Sequence, residues 1–498
     1  MSPITITPHL FEAFLKCKTK CWLRSSNAPA TGNTYAEWFQ AKSNSYRIEN
    51  ANRMLETMPE TERAVSPDMT KLKTASWRLA TSILVRTPDE TSLGTGSSVD
   101  RGGKTSYRRL PTNDSKLADQ RLLAPAVTKG KTQQQMTGES CLHAVERIPS
   151  EGRGKPTQLI PFRFIFTNKL GKDDKLLLAF DALILSQVLG REVSLGKIVH
   201  GDDHAMITVK TSAMLGEVRK RFDTIATLLG SLTPPDLVLN PHCADCEFQG
   251  RCRKVAMEKD DLSLLAGMTD KHRKKFHSKG IFTVTQLSYT FRPRRRPKRL
   301  RNKRDKYYHS LKALAIREKK IHIVGRPELK IEGTPVYFDV EGVPDRDFYY
   351  LIGVRVGSGE FVVQHHLWAD AAEDEERGWR ELLAILECTE SPVLVYYGNF
   401  EKTFWKRMCE RYGEPTEGSR AAKAMSSGIN LVQFFFAQIY FPTYSNQLKE
   451  IAAWCGFSWS DASLSGANSI VCRSEWEASS IQLSKQRLIT YTWMTARR

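Results

Sequence analysis

The chain has no long hydrophobic run. No stretch of its 498 residues approaches the roughly 18 consecutive apolar residues that read as a membrane-crossing helix. Its start, Met1-Ser-Pro-Ile-Thr-Ile6, has no basic segment followed by an apolar core, so no secretory leader is expected. Cysteine is sparse and unevenly placed, with 10 residues that do not read as the framework of a disulfide-stapled secreted fold. Four or five of these thiols read instead as ligands, and a reducing cytoplasm suits them. Acidic residues are outnumbered, 55 Asp and Glu against 74 Lys and Arg, for a formal charge of +19. With a pI near 9.4, a polyanion is the expected partner if the cations cluster. A hydrophobic fraction of 41% excludes wholesale disorder, and the length fits about two to four domains.

The cations do cluster. Arg292, Arg294, Arg295, Arg296, Lys298 and Arg299 fall in one run with Pro293 and Pro297, which keep it extended. That density exceeds what a solvated helix face needs and favours nucleic acid. Just before it, two short helical patterns flank Gly280-Ile281. The pair resembles a helix–hairpin–helix module, whose turn would offer the Gly280 amide to a phosphate. A plain helical hairpin is the alternative.

The thiols cluster too. Cys243, Cys246 and Cys252 stand at C-x2-C-x5-C spacing after a Pro234-Pro235 break. One short turn can present such soft ligands to one metal centre. Three ligands fall one short of the usual four. Cys17, after an amphipathic stretch carrying Leu10, Phe11, Phe14 and Leu15, is the natural fourth. Cys21 beside Trp22 is a packing residue or a spare ligand. Buried free thiols are the competing account of both.

Between these cysteines the pattern predicts a helix over 33–55, an irregular stretch at about 86–135, strands at 141–148 and 159–169, and a helix over 173–190. A hairpin at 197–200 and 205–210 and a helix over 212–230 follow. This order, with one cysteine ahead and three behind, resembles the RecB-like PD-(D/E)xK nucleases that carry a four-cysteine iron–sulfur cluster. The resemblance implies a [4Fe–4S] cluster on Cys17, Cys243, Cys246 and Cys252, with zinc as the alternative, His242 then joining the thiols. It also implies a carboxylate and a lysine on neighbouring strands, which falls here on Glu146 and Lys169. Thr167 stands where the second acid is expected, so Glu146 and Lys169 are equally read as ordinary strand residues.

From Gly333 the texture changes. Thr334-Pro-Val-Tyr-Phe-Asp339-Val-Glu341 reads as a strand whose carboxylates, at i and i+2, leave on one face and can share metal ions. Strands at 348–356, 361–368 and 392–397 and an acidic helix at 373–386 follow, then Tyr397-Gly-Asn-Phe-Glu401. The set resembles the DEDD-type exonuclease branch of the RNase H fold, in the form found fused to RecB-like nucleases. The resemblance implies Mg²⁺ or Mn²⁺ held by Asp339 and Glu341, with Glu401 as the second-motif acid. Such domains close on a helix carrying a further acid, whereas this chain reads Thr492-Trp-Met-Thr495-Ala-Arg-Arg498. A shifted frame over those codons can encode an acidic Asp-Asp-Cys segment, so a frameshifted or truncated end is expected. Sequencing the coding DNA tests it.

The expected fold is therefore an α/β multidomain chain. Residues 1–258 form a restriction-endonuclease-like unit with the thiol cluster. Residues 259–330 form the helical hairpin and basic linker, and 331–498 an incomplete RNase H-like unit. The expected activity is metal-dependent hydrolysis of DNA phosphodiesters, with RNA as a further substrate. The competing accounts are a catalytically impaired iron–sulfur protein that binds nucleic acid and a zinc-stabilised RNA-binding protein. Absorbance near ~400 nm separates iron–sulfur from zinc.

Overall fold

A computed structural model describes residues 4–72, 76–87, 136–149, 157–231, 233–291, 309–359, 362–461 and 463–496. Among these, no helix is long and apolar enough to cross a membrane. The arginine-rich run and most of the 86–135 stretch lie outside the described residues.

The N-terminal region runs β1 (Ile4–Ile6), α1 (Pro8–Lys16), α2 (Lys18–Ser25), α3 (Thr34–Glu56), β2 (Arg63–Val65), β3 (Leu79–Arg86), β4 (Met136–Ile148) and β5 (Gln158–Ile165). It continues through α4 (Lys172–Leu189), β6 (Leu195–His200), β7 (Ala205–Lys210), α5 (Leu215–Leu229) and α6 (Gln249–Glu258). Its 7-stranded sheet has the order β2-β3-β4-β5-β6-β7, with β1 added to β4 in parallel. Strand β5 is buried along nearly its whole length, as a continuous apolar run requires. One face packs Phe11, Leu176, Phe180 and Val218 from α1, α4 and α5. The other face packs Tyr46 and Leu55 of α3 over Phe162 and Phe164.

Two sequence expectations shift here. The amphipathic stretch ends at Lys16 as α1, and the residues after it form an unexpected second helix, α2, with Cys17 extended between the two. Strand β5 stops at Ile165, four residues before Lys169, where the polar Thr167-Asn168-Lys169 turn leads into α4.

The connecting segment carries α7 (Asp270–His277), α8 (Val284–Ser288) and α9 (His309–Glu318), packed through Leu262, Leu265, Val284, Leu287 and Ala313. Threonines cap α7 and α8: Thr269 accepts from His272 and Thr283 from Gln286.

The C-terminal region holds β8 (His322–Ile323), β9 (Thr334–Val343), β10 (Phe348–Val356), β11 (Val363–Trp368), α10 (Glu375–Cys388), β12 (Pro392–Tyr396) and α11 (Phe400–Tyr412). Then come α12 (Arg420–Ser426), β13 (Ile429–Asn430), α13 (Leu431–Phe435), β14 (Ile439–Tyr440), α14 (Leu448–Trp454), α15 (Gly466–Ser479) and α16 (Gln482–Ala496). A 5-stranded sheet has the order β11-β10-β9-β12-β13. Its first three strands are antiparallel and β12 and β13 join in parallel, which places β9 at the centre. Helices α10, α11 and α12 cover one face through Trp379, Leu382, Phe404 and Ala421. Helices α15 and α16 cover the other through Cys472 and Leu488.

Arg473 fastens α15. It is 1% exposed, donates to the carbonyls of Ala369 and Asp370, and lies among the rings of Phe348, Tyr350, Trp368 and Trp476. The cation–π contacts and the paired guanidinium let a charge sit in this apolar layer.

Candidate active site

Asp339 and Glu341 leave the same face of β9, the central strand of the second sheet. Glu401 comes from the first turn of α11, just beyond β12, the strand that pairs with β9 in parallel. Gly398 makes that approach feasible. Its φ of +138° excludes most side chains, and a Cβ there would lie 3.4 Å from a Glu401 carboxylate oxygen. Asn430 ties the same loop by donating to the Gly398 carbonyl while its own oxygen caps α13.

The three acids are poorly solvated. Glu341 is 8% and Glu401 4% exposed. One oxygen each of Asp339 and Glu401 is buried without a hydrogen-bond partner. Burial, then repulsion from Glu341 and Glu401, pushes Asp339 well above the usual carboxylate range. Burial lifts Glu341 to about 7, although Ser469 on α15 donates to it at 2.6 Å. Burial also raises Glu401. Buried carboxylates left this way are costly unless a cation compensates them. The donor set, hard oxygens with unused lone pairs, fits Mg²⁺ or Mn²⁺. Among the described residues, no three His, Cys, Asp or Glu side chains stand at the spacing of ligands round one ion.

Helix α16 brings Thr495 beside Asp339, and the hydroxyl holds the carboxyl down slightly. Thr492, one turn earlier, is fully buried and lies against Gly353 of β10. The helix thus reaches the site with a hydroxyl at the place where the family resemblance implies an acid. A cavity of about 410 Å³ opens from Asp339, walled by Tyr337, Tyr397, Phe435, Phe441 and Phe457. Ser469 and Thr495 had no sequence signal. A lone serine or threonine in a helix carries no pattern, and α15 had not been expected at all.

The other sequence-derived candidates divide. Cys17, Cys243, Cys246 and Cys252 line one small cavity, with Lys20 and His242. Burial pushes Cys246 and Cys252 up to about 11 and raises Cys243. The two chain segments are latched beside them. Glu247 takes Lys20 at 2.9 Å and Arg24 at 2.7 Å. Those cations overcome burial and hold Glu247 at about 2. Burial and Lys20 lower His242 to about 4, so its ring is neutral at neutral pH. Cys21 is fully buried in the core cluster shared with α1, α4 and α5 and does not line that cavity, as a packing residue would not.

Glu146 and Lys169 are not brought together. Glu146 faces Ile160 near the start of β5 and binds Lys197 at 2.8 Å. Lys169 lies past the far end of β5 and donates to the Pro344 carbonyl of the C-terminal region. The buried ion pair here is instead Arg163 of β5 with Asp181 of α4, 2.8 Å apart, with Ser140 donating to Asp181 at 2.6 Å. The Gly280 expectation is corrected as well. Its φ is +74°, but its amide donates to His277 and that of Ile281 to Phe276, closing the end of α7. Neither N–H is left for a phosphate. Arg292, Arg294, Arg295, Arg296, Lys298 and Arg299 lie outside the described residues.

The strand order, the helices on both faces and the acids at the centre define an RNase H-like α/β domain of nuclease type. Residues 336–494 match the family described as the RNase_H superfamily. No curated protein matches the chain.

Proposed function

We propose that this protein is a metal-dependent nuclease whose working centre is Asp339, Glu341 and Glu401. The observation that carries the reading is that Asp339 and Glu341 share one face of the central strand of an RNase H-like sheet, with Glu401 on the neighbouring α11, and that Asp339 and Glu401 each keep a buried, unpartnered oxygen. Mg²⁺ or Mn²⁺ bound there would activate water and neutralise the leaving oxygen of a phosphodiester. Ser469 orients Glu341, and Asn430 with Gly398 sets the loop that carries Glu401. The +19 charge favours DNA or RNA, with DNA as the substrate proposed here.

The thiols of Cys17, Cys243, Cys246 and Cys252 are proposed to hold a [4Fe–4S] cluster that clasps the ends of a RecB-like N-terminal unit. Four soft ligands around one cavity support that reading. A second reading, nucleic-acid binding with impaired cleavage, is favoured by Thr495 standing beside Asp339.

The test is cleavage of end-labelled single- and double-stranded DNA with Mg²⁺ or Mn²⁺. Asp339→Ala and Glu401→Gln are expected to abolish it. Cleavage retained by Asp339→Ala would remove this centre from the reaction. No cleavage by the unaltered protein, with DNA still bound, would select the second reading.

A further inference from the structure

We infer that the cleft between α3 and the β9–β10 turn binds an unpaired nucleic-acid strand, with bases on an aromatic wall and phosphates at two lysines. The inference rests on the nucleic-acid reading above but not on hydrolysis. The cleft measures about 590 Å³ and is walled by both regions of the chain. Tyr35, Trp38 and Phe39 share one face of α3 by helical spacing. Phe166, from the loop after β5, completes the wall, 4.8 Å from Phe39 and 6.0 Å from Trp38 between ring centres. None of the four rings is fully buried, and the indole N–H of Trp38 is sealed without an acceptor in the protein. Rings left half-covered beside cations are the ordinary platform for single strands, because every base has a π face to stack. A duplex keeps those faces hidden.

The lining is balanced in formal charge, Lys42, Lys169, Arg346 and Arg473 against Glu49, Asp202, Asp345 and Glu477, so a phosphate site rests on which cations stay accessible. Asp345 is engaged by the backbone amides of Asn168 and Lys169 at 2.9 and 3.1 Å. Arg346 binds Asp202 at 3.2 Å and Glu477 at 2.8 Å. Asp345 is thus hydrogen-bonded by neutral amides, one guanidinium answers both Asp202 and Glu477, and Glu49 lies 3.9 Å from His204. Lys42 and Lys169 are exposed, and the Lys169 ammonium meets a neutral carbonyl at Pro344. The cleft also leads to the acids. Val343, which lines it, lies two residues beyond Glu341 on β9, and Ile470 follows Ser469, the donor to Glu341. A strand seated on the aromatic wall would thus run toward the carboxylate centre.

The experiment is a fluorescence-anisotropy titration of the full chain, without divalent metal, against labelled oligothymidylate, oligouridylate and a blunt DNA duplex of equal length. Trp38→Ala should weaken both single strands roughly tenfold, the cost of about one lost stack, and leave the duplex unchanged. Lys42→Gln with Lys169→Gln, both at the surface, should lower the salt dependence of single-strand binding by about one unit of log–log slope. A difference between the thymidylate and uridylate arms would show which strand is preferred, and either preference supports the site. Wild-type affinity and slope in both variants would overturn the inference, as would an equal loss on the duplex. Outcomes for the two proposals separate. Binding that depends on Trp38 in a protein that never cuts removes the nuclease reading alone. Cleavage that depends on Asp339, with binding indifferent to Trp38, removes the cleft alone.

Discussion

Glu341 illustrates how far one buried residue depends on its neighbours. Burial lifts it to about 7, and Ser469 is the donor holding it down. Ser469→Ala should therefore raise it further. We expect Mn²⁺ affinity to fall about tenfold, as loss of a ligand's hydrogen-bond partner commonly does, and the acid limb of cleavage to move to higher pH. Mn²⁺ titrations at several pH values check this; an unmoved limb would free Ser469 of that role. Thr495 gives the opposite case. Thr495→Asp adds a carboxylate beside Asp339, so it should lower the Tm without metal and strengthen Mn²⁺ binding and cleavage with it. Thermal melts with and without Mn²⁺, beside the cleavage assay, read both effects. At this scale the shared face of Asp339 and Glu341 was legible in the sequence, because strand alternation fixes which side chains share a face, whereas Glu401 entered only through the family resemblance. Ser469 and Thr495 were not, because a helix facing the sheet announces its apolar residues and not the hydroxyl among them.

Among elements, β5 and α4 carry the clearest structural test. Asp181 is fully buried in α4 and answers Arg163 of β5. Asp181→Ala leaves that guanidinium unpaired in the core, which should cost ~3–5 kcal/mol. Chemical denaturation followed by a probe in the N-terminal region measures it. The pair also accounts for a misplacement at the sequence level. An apolar run of strand length looks the same whether it ends at 165 or 169, and Lys169 was drawn into β5 when it belongs to the turn beyond. Gly280 was misread for a related reason. Sequence identifies the left-handed position but not which carbonyl its amide meets, and here His277 takes it. Spacing grouped Cys243, Cys246 and Cys252 but could not place Cys17, which the fold sets on the same cavity. Cys17→Ser should abolish any absorbance near ~400 nm and lower the Tm by roughly 4–8 °C, the equivalent of ~2 kcal/mol in a unit of this size.

At the scale of the whole molecule, pH and metal are linked through the site. A carboxyl raised in the fold keeps its proton to higher pH than in the unfolded chain. Glu341, at about 7 against an ordinary 4.5, therefore lends stability below pH 4.5 that is lost as pH rises to 7. Asp339 and Glu401 act in the same direction. Glu247, held at about 2, has the opposite sign: its contribution is present above its ordinary value and is lost as pH falls toward 2. A divalent cation at the site should reverse the first effect. The rise in Tm on adding Mn²⁺ is thus expected to grow from pH 5 to pH 8 in the wild type and to vanish in Asp339→Ala. The positions of β9, β10, β11 and β12 were legible because each strand had its own boundary, though not the order in which they pair. Contacts between the regions were not, since Asp345 and the Asn168 amide meet through loops that carry no periodicity.

The latch between Cys17 and the segment around Cys243 bears on how the chain is made. Its halves lie at opposite ends of the N-terminal region, yet Lys20 and Arg24 both reach across that span to Glu247. On a ribosome adding about 5–20 residues per second, the N-terminal thiols emerge roughly 10–50 s before their counterparts. Helices α1 and α2 must wait for that interval with one face uncovered, and β1 must wait for β4. Nascent chains stalled before residue 243 should therefore be protease-sensitive throughout. Those stalled well after residue 258 should acquire protection in a single step.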